Sequence, residues 1–315
     1  MTEAHSAATG SRPRVTVLMA TFNGRRWIDA QVDSILGQRD VDVRLVVSDD
    51  GSADGTREHL LGRASRDPRI EVLEPRQGPP GVTANFLHLF VRHVPDASFV
   101  AFCDQDDVWH ADKLIRELAP LLGGEAEVCS SDVVAVEADG TRRLIRKSRP
   151  QRKWDHIFEA AGPGSTYVFS PEAHSRLCAV LEELDYSEIG VHDWYLYALA
   201  RAIGLRWRIL SEPTLDYRQH EGNVQGANSG TAARRARVSK LRDGFYLRQF
   251  ILTARAVRRI NTYSEGDRRD LERLLGLLES GSFPSRLAFF ARWPQIRRSR
   301  LEGFELAGAR LAALW

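Results

Sequence analysis

Four short apolar runs rich in β-branched residues, alternating with segments of helical apolar spacing, constrain this chain more than any other feature. VTVLMAT (Val15 to Thr21) gives way to RRWIDAQVDSILGQ, where Trp27, Ile28, Val32, Ile35 and Leu36 share one helical stripe. VRLVVSDDGS is followed by ADGTREHLLGRAS, RIEVLEP by GVTANFLHLFVRHV, and SFVAFCD closes the series. Strands alternating with helices of this length predict a mostly parallel sheet with helices on its faces. In such sheets ligands bind beyond the carboxyl ends of the strands. Three of these ends are polar: Thr21 and Asn23, then Asp49 and Asp50, then Asp104, Asp106 and Asp107 in CDQDD. Side by side in a sheet, the three should converge on one site.

Carboxylates packed at one strand end repel one another unless a cation sits among them or water surrounds them. Neither GxxxxGK[ST] nor GxGxxG occurs in the chain, so the two commonest phosphate loops are excluded. Asp104 and Asp106, one residue apart at a strand end, can turn the same way. A hard divalent ion that keeps waters and takes one or two carboxylates plus ligand phosphates suits such a pair. The competing reading is that Asp106 or Asp107 caps a helix over VWHADKLIREL, and that Ser52 or Asp54 caps the helix after DDGS.

Downstream, EVCSSDVVAVEADG alternates like a strand entering a turn at Ala138, Asp139 and Gly140, and STYVFS reads as another short strand. SPEAHSRLCAVLEEL starts like a capped helix with Pro171 in its first turn. VHDWYLYALARAIG is an amphipathic helix ending at Gly204, RWRILSEPTLDYRQH is strand-like, and EGNVQGANSGTA is a Gly- and Asn-rich hinge. The net charge of +2 hides an asymmetry: residues 231–315 hold 18 Arg or Lys against 8 Asp or Glu, leaving about −8 for the rest. Basic amphipathic helices with aromatics suit an anionic membrane surface, and equally helices that fold back or dimerise. No nucleic-acid-binding motif accompanies the charge, so nucleic acid is not an expected partner.

No run of about 18 apolar residues predicts a membrane span, and MTEAHSAATGSRPR lacks a signal-peptide core and reads as a flexible leader. Cys103, Cys129 and Cys178 form no CxxC pair, which fits a reducing, cytoplasmic setting, with Cys103 a small core residue.

VTVLMATFNG, VVSDDGSADGT and AFCDQDDVW, in this order and spacing, resemble the TFNG, DDGSxDGT and DQDDxW segments of inverting family 2 glycosyltransferases, especially their rhamnosyltransferase-like branch. The likeness runs from about Val15 to Gly226. It implies an α/β GT-A fold: a mostly parallel, mixed sheet with helices on both faces, here with a C-terminal helical extension. The implied organisation is a leader over 1–14, a catalytic domain over 15–228 and a basic helical extension over 229–315. The catalytic domain divides into a nucleotide-binding half, 15–107, and an acceptor half, 108–228.

Carried over residue by residue, the resemblance implies that Thr21 and Asn23 line the nucleotide pocket and that Asp49 or Asp50 hydrogen-bonds the base. Asn85 is placed near the nucleotide. Asp104 would sit at ribose and metal, Asp106 would ligate the metal directly, and His220 would complete its site, the cation being Mn²⁺ or Mg²⁺. Asp193 would be the general base, with His192 and Trp194 beside it. Arg218 would contact pyrophosphate or acceptor, and Gly164, Ser165 and Thr166 would form the loop beneath donor sugar and acceptor. The implied activity is metal-dependent transfer of a sugar, L-rhamnose among the candidates, from a dTDP- or UDP-sugar to a glycan or lipid-linked acceptor. The basic extension departs from a bare catalytic domain; by its composition it would rest on the inner leaflet, fold back or pair two copies. A sugar-phosphate nucleotidyltransferase and a non-catalytic nucleotide-sugar-binding scaffold are the alternatives.

Overall fold

The computed structural model describes residues 11–94, 98–220, 239 and 241–315. The first ten residues of the leader, and the Gly- and Asn-rich hinge, lie outside these. In chain order the elements begin β1 (Arg14–Thr21), α1 (Ile28–Leu36), β2 (Asp42–Asp49), α2 (Thr56–Ala64), β3 (Ile70–Val72), α3 (Val82–Arg92), β4 (Phe99–Cys103) and β5 (Val108–Trp109). They continue with α4 (Lys113–Leu122), β6 (Val128–Ser131), β7 (Val133–Val136), β8 (Arg142–Ile145), α5 (Asp155–Phe158) and β9 (Val168–Phe169). Next come α6 (Pro171–Glu182), α7 (His192–Ala202), β10 (Trp207–Leu210) and β11 (Leu215–Arg218). The extension holds α8 (Phe245–Ile260), α9 (Glu265–Glu279), α10 (Phe283–Phe290), α11 (Trp293–Ile296) and α12 (Arg300–Leu311).

A seven-stranded sheet has the order β10-β6-β9-β4-β1-β2-β3. It is parallel except for β9, which runs antiparallel to both β4 and β6. All of β1 after Arg14 is buried, which is why it reads as a continuous apolar run. Its side chains alternate between two cores: Leu18 and Ala20 meet Phe86, Phe102 and Leu199 on one face, while Val17 and Met19 meet Val32 and Leu114 on the other. Ser170 caps α6 by accepting from the Ala173 amide at 3.1 Å, with Pro171 in the first turn.

Two local expectations are corrected. The segment expected as one strand breaks at buried Asp132 into β6, in the large sheet, and β7, in a second sheet ordered β5-β11-β7-β8. The helix expected over VWHADKLIREL starts only at Lys113, because Val108 and Trp109 pair antiparallel with Asp216 and Leu215.

The extension folds back. Phe250, Leu271, Leu274, Phe289 and Trp315 form a third core together with Trp154 and Phe158 around α5 and Trp194 of α7. Several of its arginines are paired internally: Arg292 with Asp270, Arg255 with Glu279, and buried Arg298 with Asp155 and Glu159. Among the described residues no helix is long and apolar enough to cross a membrane, and the three cysteines are free.

Candidate active site

The three polar strand ends meet and are stitched together. Thr21 Oγ1 donates to Asp49 Oδ2 at 2.8 Å. Beyond β1 the Phe22 amide donates to Gln105 Oε1 at 2.9 Å, and Gln105 Nε2 donates to the Phe22 carbonyl at 3.0 Å. The glutamine set among carboxylates therefore reads the main chain of the β1 loop. Gly24 packs against it so closely that a Cβ would lie 2.2 Å from Gln105 Oε1. Asn23, at φ +50°, donates its amide to Ser52 Oγ at 2.8 Å and accepts from the Ala53 amide at 2.8 Å. Its side chain locks two loops while its backbone remains at the surface.

Asp49 and Asp50 differ in what they have left to offer. Asp49 is buried and accepts from Thr21, from the Gly51 and Ser52 amides at 3.2 and 2.9 Å, and from the Ser52 hydroxyl. Asp50 accepts from Arg76 Nη2 at 2.8 Å and the Gly81 amide at 2.6 Å. Asn85 is buried and donates to the Ser48 carbonyl at 3.0 Å, steadying the end of β2.

The acidic turn after β4 caps no helix, since the nearest, α4, begins at Lys113 behind Asp112. Asp106 Oδ2 lies 2.9 Å from His220 Nε2, and the His220 ring stacks on Trp27 at 4.9 Å. Asp107, fully buried, accepts from the Arg218 amide at 3.3 Å, and its second oxygen has no hydrogen-bond partner among the described residues. Desolvation, and then the charges of Asp106 and Asp193, push Asp104 up to about 8. Desolvation also raises Asp106, against the pull of His220, and lifts Asp107 well above the usual carboxylate range. The Ser165 hydroxyl approaches Asp104 and Asp107 and draws both partly back down.

Among the described residues no three His, Cys, Asp or Glu side chains gather into a closed metal cage. His220 engages Asp106 directly. Hard oxygen donors, excess buried negative charge and the orphaned Asp107 oxygen nonetheless fit a divalent ion that draws most of its ligands from substrate phosphates and water.

Asp193 lies at the start of α7, half-buried and within electrostatic range of Asp104. The Trp194 amide donates to Asp193 Oδ1 at 2.6 Å, and the Gly164 amide also bonds its carboxylate. Desolvation raises Asp193 to about 6, moderated by these amides and by Lys147. Gly164 is required here: a Cβ would stand 2.9 Å from His192 Nε2 and 3.3 Å from Asp193 Cβ. Ser165 joins the carboxylates, whereas Thr166 turns back to donate to the Pro163 carbonyl at 2.8 Å.

The neighbours of Asp193 point elsewhere. His192 is buried with its ring stacked on Phe86 at 4.2 Å, and desolvation pulls it down to about 3. Trp194 donates Nε1 to the His156 carbonyl at 3.0 Å and packs edge-on against Phe250. Neither joins the polar face of the site. Sequence reasoning missed Arg76 on Asp50, Tyr217 near the carboxylates and Lys147 near Asp193. None of these three had a local signal of the kind that CDQDD gave for Asp107.

A family model described as "Glycosyl transferase family 2" matches residues 16–185. The chain is 34% identical to the dTDP-rhamnosyl transferase RfbG of Shigella flexneri over 243 residues, 76% of this chain and 84% of that protein. Its fold is similar to that of S. aureus TarS 1-349 in complex with UDP-GlcNAc, with TM-score 0.57 at 15% identity over 96% of this chain and 89% of that one. It is also similar to the mannosyltransferase PcManGT from Pyrobaculum calidifontis in complex with GDP-Man and Mn²⁺, with TM-score 0.54 at 18% identity over 96% and 75%.

Proposed function

This chain belongs to glycosyl transferase family 2, and on that premise we propose that it moves L-rhamnose, with inversion, from a pyrimidine nucleoside diphosphate to a hydroxyl of a glycan or lipid-linked acceptor. The observation that carries this reading is Asp193: a carboxylate with a pKa of about 6, fixed by two backbone amides and electrostatically coupled to Asp104. The dTDP-rhamnosyl transferase relative supports the donor. Membership in a transferase family sets aside the nucleotidyltransferase and scaffold alternatives.

In this reading Asp193 takes the proton of the acceptor hydroxyl as that oxygen attacks the anomeric carbon from the face opposite the diphosphate. The bond from that carbon to the diphosphate oxygen breaks, and its electron pair leaves with the nucleotide. A divalent cation, Mn²⁺ or Mg²⁺, held by Asp104 and Asp106 together with substrate oxygens, would neutralise the leaving diphosphate. His220 engages Asp106, and Arg218 adds positive charge nearby. Asp50, which accepts one hydrogen bond on each oxygen, is assigned to the base in preference to Asp49, which accepts four.

Calorimetric titration of dTDP, UDP and GDP, each with and without Mn²⁺, tests the donor site, and release of dTDP from dTDP-L-rhamnose tests turnover. Metal-dependent binding of dTDP ahead of GDP is expected. Equal dTDP and GDP affinities would remove the pyrimidine assignment.

A lipid-linked acceptor is supported by the outer face of α10 and α12, where Phe283, Leu287, Leu301 and Phe304 are exposed. Co-sedimentation with anionic vesicles should fall for Phe283→Ser with Phe304→Ser. Unchanged pelleting counts against membrane contact, and a concentration-dependent dimer lost in the same variant would assign the face to a second copy.

A further inference from the structure

We propose that Lys147 forms an acceptor-side anion site, selecting acceptors that carry a phosphate or carboxylate next to the hydroxyl that is glycosylated. The inference rests on the glycosyl-transfer reading above, in which that hydroxyl lies at Asp193.

The backbone of Lys147 is fixed from below. Asp132, buried at the break between β6 and β7, accepts from the Lys147 and Ser148 amides at 2.6 and 2.8 Å and from the Ser148 hydroxyl at 2.8 Å. The Arg149 amide closes a tight turn on the Lys147 carbonyl at 2.7 Å. The loop after β8 is therefore built, and its lysine is half-buried rather than splayed into water.

The ammonium lies within electrostatic range of Asp193, Glu159, Arg297, Arg298 and Glu302, yet it makes no hydrogen bond or ion pair among the described residues. A lysine drawn in from solvent without a partner is costly unless something else supplies the counter-charge. Glu302 is exposed to solvent and forms no ion pair among the described residues, and the buried carboxylates nearby are already committed. Asp155 serves Arg298 at 3.0 Å and Arg201 at 3.2 Å, while Glu159 serves Arg298 at 3.1 Å and Arg297 at 3.7 Å. Two carboxylates thus answer three arginines, and the Nε atoms of Arg297 and Arg298 are buried without partners among the described residues. Asp193 itself is engaged by two backbone amides and must keep an oxygen for the incoming proton.

The arrangement is a positive edge beside a general base, formed jointly by the β8 loop and the extension. An acceptor with its hydroxyl at Asp193 and an anionic oxygen nearby satisfies both ends. Two sources share this chemistry: the phosphate of a carrier-linked sugar and the carboxylate of a uronic acid.

The test uses the full chain saturated with dTDP and Mn²⁺, so that the donor phosphate site is filled. Glucose 1-phosphate, glucuronate and glucose are titrated separately, with binding read by saturation-transfer NMR. At least one anionic sugar should bind about 10- to 100-fold more tightly than glucose. The better of the two identifies the source. Lys147→Met should abolish the preference while leaving dTDP affinity within about twofold, and Lys147→Arg should retain it, as expected for a charge-assisted contact. Lys147→Gln serves if Lys147→Met fails to fold. Wild-type protein that binds dTDP but shows no anion preference overturns this site alone. A Lys147→Met loss that falls on dTDP also overturns it, reassigning the lysine to the leaving group. Protein that binds no dTDP overturns both the site and the reading on which it rests.

Discussion

Arg298 Nη1 lies 3.0 Å from Asp155 Oδ2, with both side chains almost wholly removed from water. The same guanidinium reaches Glu159 Oε2 at 3.1 Å and the Ala160 carbonyl at 2.5 Å. Asp155 opens α5 and Glu159 follows it, just before the chain enters the Gly164 loop. The C-terminal extension is thereby tied to the backbone beneath the site. Burial pushes Asp155 up, but His156, Arg298 and Arg201 more than reverse it, holding the carboxyl well below its usual range. The stability this contributes is present above the ordinary carboxylate pKa and is lost as pH falls through the depressed one.

Arg298→Met should cost about 3–5 kcal/mol, since it removes the buried guanidinium that two buried carboxylates share, and lower Tm by about 10 °C in scanning calorimetry. A loss below about 1 kcal/mol would show that the pair does not clamp the extension. A chain ending at residue 240 should aggregate, because it uncovers the apolar faces around Trp154, Phe158 and Trp194 that α8 and α9 cover.

Asp193→Asn should lower kcat by about 10²- to 10⁴-fold while keeping dTDP affinity. In the unaltered protein the ionised form is the active one, and the pKa is raised to about 6. At saturating Mn²⁺, which keeps Asp104 ionised, kcat/KM should therefore be flat above that pH and fall about tenfold per unit below it. A profile flat down to pH 4.5 would exclude Asp193 as the base.

Asp104→Asn should stabilise the ligand-free protein while abolishing turnover. The native pKa of Asp104 is about 8, above the ordinary 3.8, so the native state holds a proton that the unfolded chain releases. Stability from this group is complete below about pH 4 and is lost as pH rises through about 8. Thermal melts should show the variant higher by a few degrees at pH 8.5 and nearly unchanged at about pH 4. A uniform offset at both pH values would place the cause outside this titration.

Gly164→Ala should reduce kcat by about 10²-fold with little change in dTDP affinity, because the added Cβ displaces the start of α7 by some tenths of an ångström or more. Its predicted contact is 2.9 Å from His192 Nε2. Loss of dTDP binding in equal measure would mean that the loop serves the nucleotide and not Asp193.

The strand ends were legible because their signals are local. A strand buried on both faces must be apolar throughout, and its run must stop where the chain meets the site, so Thr21, Asp49 and Asp104 declared themselves. Val108 and Trp109 misled because an apolar pair next to a helical stripe resembles its first turn; only the distant Leu215 and Asp216 make it a strand. His192 and Trp194 misled differently. Successive helical residues point about 100° apart, so the flanks of Asp193 turn to Phe86 and Phe250 when the aspartate faces the site.

By itself the sequence determined the alternating architecture, the carboxylates at the strand ends and the family. Tertiary structure decided which of those oxygens remain available: Asp49 is consumed by Thr21, Asp107 keeps one oxygen unpaired among the described residues, and Lys147 comes within electrostatic range of Asp193 across 46 residues of chain. Hydrogen-bond satisfaction and desolvation depend on neighbours in space, and here those neighbours come from distant segments, so no local pattern could encode them.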